Sequence, residues 1–138
     1  MIDLQRKARP SRVTVLAELS LFFAIWNAVR LGEDIFFWKT LLEYGTHPLY
    51  IAFSGGVWLV AGLLLTWGLW SGKKAAWLAA MIIALCYASW YWIDRLLLQR
   101  PHANWLFSLI ATGVILFILF SILLSPRTRR FFHRDSHE

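Results

Sequence analysis

Four long apolar runs, separated by short polar or charged stretches, dominate this chain. They cover residues 13–31, 48–70, 75–93 and 103–125. The last three contain no charged residue, whereas Glu18, Asn27 and Arg30 interrupt the first. A helix of about 20 apolar residues crosses a hydrocarbon core of about 30 Å. Strands are excluded from such runs by length, and because unpaired backbone cannot sit in lipid. The pattern therefore predicts an all-α fold, a bundle of four transmembrane helices. The first run, with Glu18 inside it and no small-residue cleavage pattern around Trp26-Asn27-Ala28-Val29, reads as an uncleaved helix and not a signal peptide.

Between the first two runs, residues 32–47 have a pattern of their own. Ile35, Trp38, Leu41 and Leu42 recur at helical spacing, with Lys39, Thr40 and Glu43 on another face. Glu33 and Asp34 suit a helix start and Gly45 suits its end. This predicts a short amphipathic helix lying at the interface in the first outer loop. The second connection, Ser71–Lys74, is a tight turn, and the third, Asp94–His102, ends on the helix-breaking pair Arg100-Pro101.

Composition agrees with a membrane solvent. Hydrophobic residues make up 59% of 138, more than a soluble chain of this size can bury in one core. The length predicts a single membrane domain over residues 1–138, ending in a basic cytoplasmic tail, 126–138. The net charge of +6 does not imply nucleic acid, because the basic residues flank the apolar runs. Arg6, Lys7, Arg9, Arg12, Lys73, Lys74, Arg127, Arg129, Arg130 and Arg134 fall on one side of the predicted topology. Only Arg30, Lys39, Arg95 and Arg100 fall on the other, where Glu33, Asp34, Glu43 and Asp94 cancel them. The positive-inside rule then puts both termini and Lys73–Lys74 in the cytoplasm.

The nine tryptophans mostly mark interfaces: Trp26, Trp90, Trp92 and Trp105 at outer ends, Trp67, Trp70 and Trp77 at inner ends. Trp58, at the midpoint of the second run, needs a packing role and a partner for its N–H. Ala76, Ala80, Ala84 and Ala88 stand four residues apart, as do Ala52 and Gly56, then Gly62 and Thr66. Such rows let helix backbones approach closely, inside the bundle, in a homo-oligomer or against another membrane protein.

The candidates for chemistry are few. Glu18 is a carboxylate in a membrane helix, which points to a proton or cation site. It lies shallow, roughly 8 Å inside the inner boundary, so water, Lys73, Lys74 or Thr66 can satisfy it instead. Asn27, Arg30 and Asp34 share a helix face by spacings of three and four. With His47, Asp94, Arg95, His102 and Asn104 they form an outer polar group whose spacing has no metal signature. In the tail, Arg127, Arg129, Arg130 and Arg134 attract anionic lipids, and Phe131 and Phe132 are able to dip into the interface. Cys86 is the only cysteine. No nucleophile elbow, P-loop, zinc-hydrolase motif or cofactor motif occurs, so no catalytic residue is expected.

Three local patterns resemble a family of small bacterial four-helix integral membrane proteins with no assigned activity. They are Pro48-Leu49-Tyr50 with Ser54-Gly55 and Trp58, Gly68-Leu69-Trp70 with Gly72, and Trp90-Tyr91-Trp92 with Asp94-Arg95. The resemblance implies the four-helix membrane fold and a bacterial inner membrane, and brings no activity. The expected function is a non-catalytic accessory or scaffold subunit in a larger membrane complex. The alternative is a small transporter, or a binder of an apolar ligand such as a quinone or lipid, using Glu18 or the outer polar group.

Overall fold

A computed structural model describes residues 10–97 and 104–133 of the chain. Six helices follow one another: α1 (Ser11–Phe36), α2 (Trp38–Glu43), α3 (Pro48–Trp70), α4 (Lys74–Leu97), α5 (Trp105–Leu123) and α6 (Pro126–His133). No strand occurs among the described residues. Helices α1, α3, α4 and α5 are long and apolar enough to cross a membrane. Four such helices are the pattern of a multi-pass membrane protein. Their outward faces fit that solvent: Phe53, Phe107 and Phe117 are each more than 70% exposed. Of all α5, only Leu123 is buried.

The chain divides into two compact units, Val13–Ser71 and the pair of segments Met1–Arg12 and Gly72–Glu138. In the first, α1 buries Val13, Leu16, Ala17, Ser20, Ala24, Asn27 and Asp34. These recur at three- and four-residue intervals, so one stripe of α1 faces inward. α1 is longer than its apolar run. Gly32 costs about 1 kcal/mol relative to alanine in a helix but does not stop one. Glu33 and Asp34 therefore lie in the last turn of α1 and do not open a new helix, contrary to the sequence expectation. Only Phe37 separates α1 from α2, and hydrogen bonds run through the break from Phe37 N–H to Glu33 C=O and from Leu41 N–H to Phe37 C=O, each 2.9 Å.

α2 ends where Gly45 was expected to end it. Gly45 adopts φ +69°, its N–H donates to Leu42 C=O, and the Thr46 N–H donates to Leu41 C=O. This is the Schellman pattern, which a left-handed glycine closes. Pro48 then opens α3 at its first turn, where a missing N–H costs nothing.

In the second unit, residues 126–133 of the tail form a helix that the sequence pattern does not predict; Arg134 lies outside the described residues. Ser125 precedes Pro126 at the start of α6; its Oγ lies 2.8 Å from Thr128 Oγ1 and accepts the Thr128 N–H at 3.4 Å. Thr128 and Phe132, one turn apart, are fully buried. Phe131 stands beside Gly72, where an added Cβ would lie 3.2 Å from its ring. Gly72 also has φ +71°, so this turn needs glycine twice over. Phe131 and Phe132 thus pack on protein; Phe132, placed in the lipid interface by the sequence reading, is 1% exposed. Trp77 reads from sequence as an interfacial residue at the inner end of its run. Its N–H donates to Leu123 C=O at 2.8 Å, a carbonyl the end of α5 leaves unpaired, and so ties α4 to α5.

Candidate functional site

The strongest concentration of buried polarity lies along the inward stripe of α1. Ser20, Ala24, Asn27, Leu31 and Asp34 succeed one another there by steps of three and four. α3 runs antiparallel against this stripe, through two glycines seven residues apart. A Cβ built on Gly62 would lie 2.9 Å from Ala24 Cβ and 3.1 Å from Ala24 Cα. One built on Gly55 would lie 3.6 Å from Leu31 Cβ and 3.8 Å from Asn27 C=O. Ser20 Oγ–H donates to Gly62 C=O at 3.1 Å, closing the same crossing. Phe23 meets Trp58 edge-on at 6.3 Å between ring centroids, the packing role expected for that mid-helix tryptophan.

The polar groups above this crossing are incompletely satisfied. Asn27 is fully buried. Its Nδ2–H donates to Phe23 C=O at 2.9 Å, which directs Oδ1 away from that carbonyl, and Oδ1 meets no donor. Asp34 is 4% exposed and neither carboxylate oxygen accepts a hydrogen bond. Arg30 sits between them on α1, half-buried, and its positive charge acts on the Asp34 carboxylate without a hydrogen bond between them. Seven residues return a helix to within about 20° of the same direction and advance it about 10 Å. Asn27 and Asp34 therefore face the same way from two levels, too far apart to ligate one ion together. Both open sites are acceptors, so their chemical complement is a hydrogen-bond donor or a cation. Leaving a buried acceptor unpaired costs about 1–3 kcal/mol, and more when it is charged.

The other residues singled out from sequence fall elsewhere. Glu18 is exposed, off the inward stripe. Thr66, a suggested partner for it, donates its hydroxyl to Gly62 C=O at 2.7 Å. His47 is exposed and precedes α3 without a side-chain cap bond. Asp94 and Arg95 belong to the other unit, half-buried and each with interaction partners. Arg95 Nη1–H donates to Tyr91 Oη at 3.1 Å. His102 lies outside the described residues. Among the described residues, no three His, Cys, Asp or Glu side chains gather as a metal site would require.

Of the small-residue positions, Gly62 is at a close contact and Gly56 is open, with nothing within 4 Å of an added Cβ. Ala76 and Ala80 are buried, while Ala84 and Ala88 are half-buried. Sequence reasoning missed Ser20 and Gly55. The signal is a seven-residue spacing, Gly55 to Gly62 matching Ala24 to Leu31, which the four-residue spacing of Ala52 and Gly56 masks.

No protein-family model, no curated protein and no solved structure matches this chain.

Proposed function

We propose that this chain is a non-catalytic accessory or scaffold subunit of a larger complex in the bacterial inner membrane. Both termini and the Lys73–Lys74 turn face the cytoplasm, and α2 lies in the outer interface with Leu42 and its neighbours toward lipid. The observation that carries the subunit reading is glycine left open on membrane-crossing helices. At Gly56 of α3 and Gly113 of α5 an added Cβ would meet nothing within 4 Å. Lipid gains nothing from a glycine, whereas a partner helix gains close backbone approach. Purification of the full chain in mild detergent tests this. Other membrane proteins should co-purify in fixed stoichiometry, and Gly113→Leu should release them without unfolding the chain. A chain that purifies alone and fully folded, from cells with its natural partners present, refutes the reading.

A second reading, a small transporter or a ligand binder, is favoured by one observation: the unpartnered buried acceptors of Asn27 and Asp34. Glu18 supports it less because it lies off the inward stripe of α1, away from these acceptors.

Topology is checked independently. In a Cys86→Ala background, single cysteines at Thr46 and Ser71 should react with membrane-impermeant reagents from opposite sides. Thr46 lies on the side with four basic residues and Ser71 on the side with ten. Labelling of both from outside the cell contradicts the assignment.

A further inference from the structure

The segment Pro126–His133 combines a buried stripe with a second, cationic one. Taking 100° per residue, Pro126, Arg129, Arg130 and His133 project within about 100° of one another, away from buried Thr128 and Phe132. Together with Leu124 at the end of α5 they line an open cleft of about 320 Å³. Its wall is held in place. His133 Nδ1–H donates to Arg129 C=O at 2.9 Å, and the His133 ring meets Trp77 edge-on at 5.4 Å. Trp77 in turn donates to the carbonyl of Leu123, the residue before Leu124. Arg129 and Arg130 are exposed. No ion pair to either is seen among the described residues.

We propose that this cleft seats the phosphate of an anionic phospholipid. Charge selects the occupant: two guanidiniums present planar forks of N–H donors that match phosphate oxygens. Position selects lipid over a soluble anion. Two of the lining residues, Leu124 and Pro126, are apolar, and Leu124 is 51% exposed. It directly follows a membrane-crossing helix, at the level where hydrocarbon gives way to headgroups. The glycerol and first acyl carbons then lie on Leu124 and Pro126 while the phosphate meets Arg129 and Arg130. Arg127 projects from a different side of α6 and takes no part in the lining. The inference rests on reading α5 as membrane-spanning. It goes beyond a general attraction of basic residues for anionic lipid by naming which arginines do the binding.

Native mass spectrometry of the full chain in detergent tests it, with dioleoyl-phosphatidylglycerol and dioleoyl-phosphatidylcholine added in equal amounts. The wild-type chain should retain one phosphatidylglycerol with a preference of about tenfold over phosphatidylcholine. The double variant Arg129→Gln/Arg130→Gln should lose the preference, and Arg127→Gln should keep it. Both arginines are exposed, and monodispersity in detergent verifies that the variants fold. Loss of preference in Arg127→Gln as large as in the double variant shows diffuse electrostatics and overturns the site. So does equal retention of the two lipids by the wild type. Thermal stabilisation by inorganic phosphate without any lipid preference assigns the cleft to a soluble anion and overturns the lipid proposal. These readouts are made in detergent, so they fail independently of the cysteine labelling that tests membrane topology.

Discussion

Gly62→Ala should destabilise the fold by about 1–3 kcal/mol, the cost of overpacking a close contact. Ordinarily this exchange favours a helix by about 1 kcal/mol, so the expected sign is the reverse of the intrinsic one. The reason is the 2.9 Å between the new Cβ and Ala24 Cβ, with Ala24 Cα at 3.1 Å. A backbone atom cannot swing aside as a long side chain can, so α1 and α3 must separate. Separation also stretches the bond from Ser20 Oγ–H to Gly62 C=O. Gly62→Val should cost more. Gly55→Ala, whose Cβ would lie at ordinary contact distance of 3.6 Å or more, should be near neutral, and Gly56→Ala, with open space, should be neutral or stabilising. Thermal unfolding in detergent, with reversible denaturation as a second measure, reads the series. Gly62→Ala at or above wild-type stability would mean that α1 and α3 do not meet through Gly62.

Asp34→Leu discriminates between the two functional readings. Under the subunit reading Asp34 is a buried carboxylate with no hydrogen-bond partner. Replacing it with an apolar group of similar size removes a desolvation cost that outweighs the lost attraction to Arg30, so stability should rise. Co-purification of partners should be unchanged. Under the ligand reading the carboxylate is occupied by a donor or cation in the working protein. Asp34→Leu then abolishes transport or ligand retention, and stability in the presence of ligand falls. Under the subunit reading Asn27→Leu should likewise raise stability, because Asn27 Oδ1 is buried with no donor. Glu18→Gln serves as the control: the side chain is exposed, so stability and assembly should stay at the wild-type level. A folded Glu18→Gln variant that has lost function would restore Glu18 as the working carboxylate.

The two series act on neighbouring parts of one helix stripe but through different physics. Gly62 concerns the distance between two backbones, which packing sets. Asp34 concerns a polar group taken out of water without a partner. Ala24 and Asp34 lie ten residues, about 15 Å, apart along α1, so their effects should add within experimental error.

Much of this protein was legible in its sequence because lipid imposes a one-dimensional rule. A run long enough to span hydrocarbon must be a helix, since its backbone can be satisfied no other way. Hence the four helices long and apolar enough to cross a membrane matched the four apolar runs, with α3 at the very limits expected, Pro48–Trp70. Local chemistry was legible for the same reason. Gly45 and Gly72 take the left-handed conformations that turns require, and Pro48 opens a helix where its missing N–H is harmless. The sequence pattern also put Asn27, Arg30 and Asp34 on one face, because helical spacing alone decides that.

Tertiary structure decided which faces turn inward and which polar groups find partners. The apolar moment of a membrane helix is weak, as lipid-facing and protein-facing positions are both hydrophobic. α5, apolar all round, shows no preferred face in its sequence. The choice of Gly55 and Gly62, not Gly56, for the approach of α3 to α1 therefore depended on steric fit with Ala24 and Leu31. The extension of α1 through Glu33 and Asp34 depended on a hydrogen-bond ladder that a single Gly32 did not interrupt. The folding of the basic tail into α6 depended on Thr128 and Phe132 finding buried positions that an eight-residue segment cannot supply for itself. Glu18 and Asp34 are both carboxylates on the same helix, but only the packing around α1 leaves one exposed and buries the other without a hydrogen bond.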